Sequence, residues 1–84
     1  MKNQFDTKCD EIADGSLERH KPIQLAIRAT MAEPDEQTAI ENIEAIAGQM
    51  CEHLADLVGI AAAGEAAARH AILLVAEWKL SHNP

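Results

Sequence analysis

Apolar residues in the C-terminal two thirds of the chain recur at helical spacing. Ile40, Ile43, Ala47, Met50, Leu54 and Leu57 alternate by threes and fours, the spacing of an a/d seam along one helix face. Ile46, Cys51 and Val58 widen that stripe, while Glu41, Glu44, Glu52 and Asp56 fall on the opposite side. The pattern predicts a two-faced helix. Its start is marked by Glu33-Pro34-Asp35-Glu36, a proline where a helix can begin and acids where the positive end of the helix dipole favours them.

Gly59 and Gly64 bracket Ile60-Ala61-Ala62-Ala63, and glycine ends helices by adopting positive φ. A turn is therefore expected between them; a continuous helix carried past Gly59 by the alanines is the alternative. From Glu65 to about Leu80 a second helix is expected, with Ala68, Ala71, Ile72, Leu74, Val75 and Trp78 on one arc at about 100° per residue. The opposite arc carries Arg69, His70 and Glu77, but also Leu73 and Leu80. The fold expected is mainly α: an antiparallel helical hairpin over residues 34–80. A helix that is apolar on two sides is normally buried on two sides, so Leu73 and Leu80 point to a homodimeric helical bundle in which the second helices meet. The alanine clusters at 61–63 and 66–68 would let backbones approach closely. Docking of the two leucines on a different protein is the other use.

The first third reads less clearly. Phe5, Cys9, Ile12 and Ala13 share a helical face that ends at Gly15, so a short helix is expected. After Lys21-Pro22, the run Ile23-Gln24-Leu25-Ala26-Ile27-Arg28 alternates at the period of a strand. A lone strand would have to pair with its copy across a dimer axis. The chain is read as one domain, with an N-terminal arm over 1–33, the hairpin over 34–80 and a tail over 81–84.

A chain of 84 residues buries only about 60–65% of its unfolded surface when it folds alone, which favours help from a second subunit. Charge is uneven. Residues 1–30 carry five basic and five acidic side chains, whereas residues 31–84 set Arg69 and Lys79 against nine acids, so the net −7 belongs to the hairpin. That sign repels phosphate and attracts a basic protein; it disfavours nucleic acid as a partner and makes Glu41, Glu44, Glu52 and Asp56 a candidate protein-binding face. Cys9 and Cys51 lack a disulfide pattern. No segment approaches the roughly 20 apolar residues of a membrane span, and the first residues lack the apolar core of a signal peptide. A cytoplasmic protein is expected.

Candidate chemistry is sparse. Cys51 and His53, two apart on a helix, point in nearly opposite directions and cannot clamp one ion. His20, His70 and His82 have no neighbour at ligand spacing, and nothing local activates Cys9 or Ser16 as a nucleophile. The glycines at 15, 48, 59 and 64 stand singly, so no phosphate-cradling loop is written in the sequence. Neither an enzyme nor a cofactor is expected. Trp78 reads as an anchor of the core or of the dimer, and with Leu73, Leu80, Arg69 and Glu77 it forms the candidate interface.

Two resemblances bear on function. A strand at residues 23–28 followed by two helices resembles the ribbon-helix-helix repressors, which implies a dimeric ribbon in the major groove with Gln24 and Arg28 pointing outward; the first helix here is about twice the length that family uses. The stretch Leu25-Ala26-Ile27-Arg28 through Glu33-Pro34, then Thr38-Ala39-Ile40-Glu41-Asn42-Ile43-Glu44-Ala45-Ile46 and an alanine-rich helix, is similar to short acidic two-helix bacterial and phage proteins of unknown function. That likeness implies a small accessory protein without chemistry of its own, in phages often an inhibitor that caps a host protein. The function expected is a non-enzymatic protein-binding module, with a ribbon-helix-helix regulator as the alternative.

Overall fold

Proline in a first turn, and glycine where the chain must reverse, account for several of the element boundaries. The structure, a computed structural model, describes residues 4–82. Its helices are α1 (Gln4–Ala13), α2 (Lys21–Met31), α3 (Glu36–Val58) and α4 (Ile60–His82), with a 3-10 turn at Glu18–His20 before α2.

Helix α1 stops in a Schellman arrangement. The Gly15 N–H donates to the Ile12 carbonyl at 3.1 Å and the Ser16 N–H to the Glu11 carbonyl at 3.1 Å. Gly15 takes φ 68°, and a Cβ there would lie 2.7 Å from Oε1 of Gln24. The positive φ is what calls for glycine here, since the Gln24 amide that a Cβ would meet is the movable end of a flexible side chain. The Gln24 amide in turn donates to the Asp14 carbonyl at 3.0 Å, tying α2 to the end of α1.

Residues 23–28 are helical, so the expected strand is corrected. Pro22 sits in the first turn, where its missing N–H has no helical partner to lose. Ile23 and Ile27 stand four apart and turn the same way, with Ile23 and Thr30 fully buried and Leu25 60% exposed. The apparent alternation came from three branched residues, one of which faces water. Among the described residues there is no strand, and the ribbon that the repressor-like alternative needs is absent from them.

Asp35 caps α3, its Oδ2 accepting from the Thr38 N–H at 2.9 Å and the Thr38 hydroxyl at 2.8 Å. The buried face of α3 is Ala39, Ile43, Ile46, Met50 and Leu54. Ile40 and Ala47, expected on the seam, are only half-buried, and Leu57 is 60% exposed. The stripe is displaced because α3 packs against three helices, with Ile46 turned toward Ala26 and Thr30 of α2. A helix covered from several directions buries more than an a/d line.

The reversal between α3 and α4 is a single residue. Gly59 has φ 86° and ψ 158°, a region essentially reserved for glycine. Its N–H donates to the Ala55 carbonyl at 2.9 Å, and its carbonyl accepts from the Ala63 N–H at 3.0 Å. One glycine therefore closes α3 and opens α4. Gly64 lies inside α4 rather than at a turn, which shifts the expected loop over 59–64 to Gly59 alone.

At its far end α4 returns to the start of α3. The Trp78 indole N–H donates to the Glu33 carbonyl at 2.8 Å, and Lys79 lies 3.6 Å from Glu36. His82 stacks on the Trp78 ring at 4.1 Å, so Ser81 and His82 continue the helix rather than forming a tail. Ala63, Ala66 and Ala67 are buried and join Cys9 and Ile12 of α1 in one core cluster with Ile23, Ile43, Met50, Leu54 and Leu74. The arm over residues 1–33, in its described part, is thus built into the same core as the long helices. The Cα radius of gyration is 12.3 Å.

Candidate functional site

The outer face of α4 carries three exposed large apolar side chains. Ile72 is 69% exposed, Leu73 54% and Leu80 81%. Ile72, expected on the packing arc, lies outside it because the arc centres on Ala63, Ala66, Ala67, Leu74 and Trp78. Ala68 is likewise exposed. Arg69, Leu73, Ala76 and Leu80 recur at spacings of three and four, with Ile72 beside Leu73, and all are exposed, so they form one stripe of about three turns. That heptad-like spacing was present in the sequence and could have moved Ile72 to the outer face.

Beside the stripe, α1 and α4 enclose a solvent-open groove of about 270 Å³ lined by Asp6, Asp10, Arg69, His70, Ile72 and Leu73. Arg69 donates from Nε at 3.1 Å and from Nη2 at 3.0 Å to the same Asp6 oxygen, and His70 Nδ1 stands 3.9 Å from the Asp10 carboxylate. The groove falls below the usual 300–1,000 Å³ of small-molecule pockets.

The other expected interface residues separate. Glu77 is exposed and borders a second shallow groove with Asp10, Asp14 and Ile27. Trp78 is only 6% exposed and holds the Glu33 carbonyl, so it belongs to the core and is removed from the candidate interface. Its large ring closes the open end of the helical body, where α3 and α4 have no connecting loop. Glu41, Glu44, Glu52 and Asp56 are all exposed on the face of α3 opposite its buried residues. Gly48 shares that outward side, and a Cβ there would meet nothing within 4 Å.

Buried His20 and half-buried His53 were not foreseen as neighbours. His20, 5% exposed, meets His53 edge to face at 5.3 Å, bringing the start of α2 against α3. The Leu17 N–H points at His20 Nδ1 at 3.4 Å, a long contact that favours an unprotonated Nδ1. Burial, then the neighbouring His53 and Arg19, push the His20 pKa down, with Glu11 opposing. Nothing in the spacing of His20 and His53 could have signalled their contact. Cys9 is fully buried; burial foremost, then Asp6 and Asp10, push its thiol up to about 11. A thiol so protonated is a poor nucleophile at neutral pH. Among the described residues no three His, Cys, Asp or Glu side chains converge at metal-binding distance, and each buried side-chain polar atom has a hydrogen-bond partner.

No helix among the described residues is long and apolar enough to cross a membrane. Comparison with protein-family models, curated proteins and solved structures returns no match.

Proposed function

We propose that the protein is a small non-enzymatic protein-binding module: a cytoplasmic helical hairpin that works as a homodimer and acts by occupying the surface of another protein. The observation that carries this reading is the exposed stripe of Ile72, Leu73 and Leu80 on α4. Burying three such side chains is worth about 1.5–3 kcal/mol each when complete, a stabilisation the isolated chain forgoes. A second copy covering α4 leaves α3 outward, and Glu41, Glu44, Glu52 and Asp56 then present an acidic surface suited to a basic protein. This is the kind of accessory role that the resemblance to acidic two-helix proteins implies, an inhibitor that caps its target.

Light scattering at increasing concentration tests the dimer. The wild type is expected to approach twice 9.1 kDa, and Leu73→Glu to stay at the single-chain mass with an unchanged far-UV circular dichroism spectrum. A wild type that remains at the single-chain mass up to hundreds of micromolar overturns the dimer.

A further inference from the structure

The charges of the two long helices differ in a way that bears on how copies meet. Helix α3 carries Glu36, Glu41, Glu44, Glu52 and Asp56 with no lysine or arginine, whereas α4 carries Glu65 and Glu77 against Arg69 and Lys79. In a chain of net charge −7, α4 is the long helix whose formal charge cancels. Two copies can approach through it without the like-charge repulsion that their α3 faces would impose.

The order of those charges sets a direction. Glu65, Ile72 and Lys79 are seven residues apart, and all three are exposed. Over two heptads a straight helix drifts by only about 40°, so the three lie along one edge of the stripe formed by Arg69, Leu73, Ala76 and Leu80. In an antiparallel pair, a two-fold axis brings residues on the same edge together when they lie equally far on either side of its centre. Centred on Ile72, Glu65 of one copy stands level with Lys79 of the other at both ends, and the two Ile72 side chains meet in the middle. A parallel pair in register would carry Glu65 and Lys79 of the two copies to opposite edges of the contact, where neither charge meets a partner of this set.

We infer that the outer face of α4 takes a second copy of this chain in an antiparallel register centred on Ile72, closed at each end by a Glu65–Lys79 pair between copies. This rests on the proposed homodimer and specifies its geometry. The contact runs from residue 65 to 79, roughly 21 Å or four turns, and lies at the small end of specific interfaces. Association is therefore concentration-dependent rather than obligate.

Charge reversal tests the register, read by sedimentation equilibrium at low salt. Glu65→Lys or Lys79→Glu alone converts both intermolecular pairs to repulsion and is expected to raise the dimer Kd about tenfold, since each exposed pair is worth a few tenths to 1 kcal/mol. Carrying both changes, Glu65→Lys/Lys79→Glu restores opposite charges at each end and should return to within about threefold of wild type. Lys79 also lies 3.6 Å from Glu36 of its own chain; Glu36→Gln separates that pair, and is expected to leave the dimer Kd unchanged. If the wild type dimerises but the single reversals do not weaken it, or the double variant is no tighter than the singles, the antiparallel register is wrong while the dimer stands. A monomeric wild type removes both.

Discussion

Replacing Gly64 by alanine separates the observed reversal at Gly59 from a turn spread across residues 59–64. Gly64 is inside α4, and an added Cβ there meets nothing within 4 Å. The substitution therefore neither fills space nor creates a clash, and its effect is the difference in helix propensity, about 1 kcal/mol in favour of alanine. For a chain of this length that corresponds to a rise in Tm of about 4–8 °C. Gly59→Ala also meets open space, yet its backbone at φ 86° and ψ 158° is one that a side chain disfavours by about 1–3 kcal/mol. The two alanines should thus shift stability in opposite directions, with a spread of about 2–4 kcal/mol. Thermal and urea unfolding followed by far-UV circular dichroism reads both, at one fixed protein concentration because any dimerisation makes Tm concentration-dependent. A lower Tm for Gly64→Ala would place positive φ at residue 64 and refute the single-glycine reversal.

Two further outcomes follow from the buried polar contacts. Trp78→Phe keeps most of the ring but leaves the Glu33 carbonyl without the indole donor at 2.8 Å, and should lower stability by about 1–3 kcal/mol in urea unfolding; no loss would mean that water replaces the indole there. His20 is held neutral, its pKa lowered by burial and by His53 and Arg19, in a corner also bordered by Lys8 and Glu11. The unfolded chain then binds more protons than the folded one, so the His20 contribution is present above its unfolded pKa of about 6.5 and is lost as pH falls through the lower folded value. His20→Asn, which keeps an acceptor without a titrating ring, is expected to flatten the drop in urea midpoint between neutral and mildly acid pH. An equally steep drop would assign it to other groups.

The helical character of residues 36–58 was legible because its acids and its branched residues sort onto opposite sides over six turns, leaving one phase that satisfies both. For α4 the phase was harder to read. Ala63, Ala66 and Ala67 are core residues, but an alanine carries too little hydrophobicity to mark a buried face, so Ile72 and Ala68 were placed inward in their stead. Packing against both α3 and α1 makes those alanines the inner side. At residues 23–28, six positions hold too few turns for period two and period 3.6 to differ when Ile23 and Ile27 satisfy both. The exposure of Leu73 and Leu80 was readable because both oppose Leu74 and Trp78 in any helical phase. The His20–His53 contact was not, since it depends on how α2 is laid against α3.

The burial of Cys9 gives the chain a native probe of its own opening. With its side chain fully buried in the core and its proton retained at neutral pH, Cys9 reacts with a thiol reagent only when α1 lifts away. The rate of that reaction measures how often the first helix leaves the long pair, without a mutation. Cys51, half-buried on α3, supplies an internal reference in the same molecule. The ratio of the two labelling rates therefore reports whether the N-terminal helices open as a separate unit or only when the whole body unfolds.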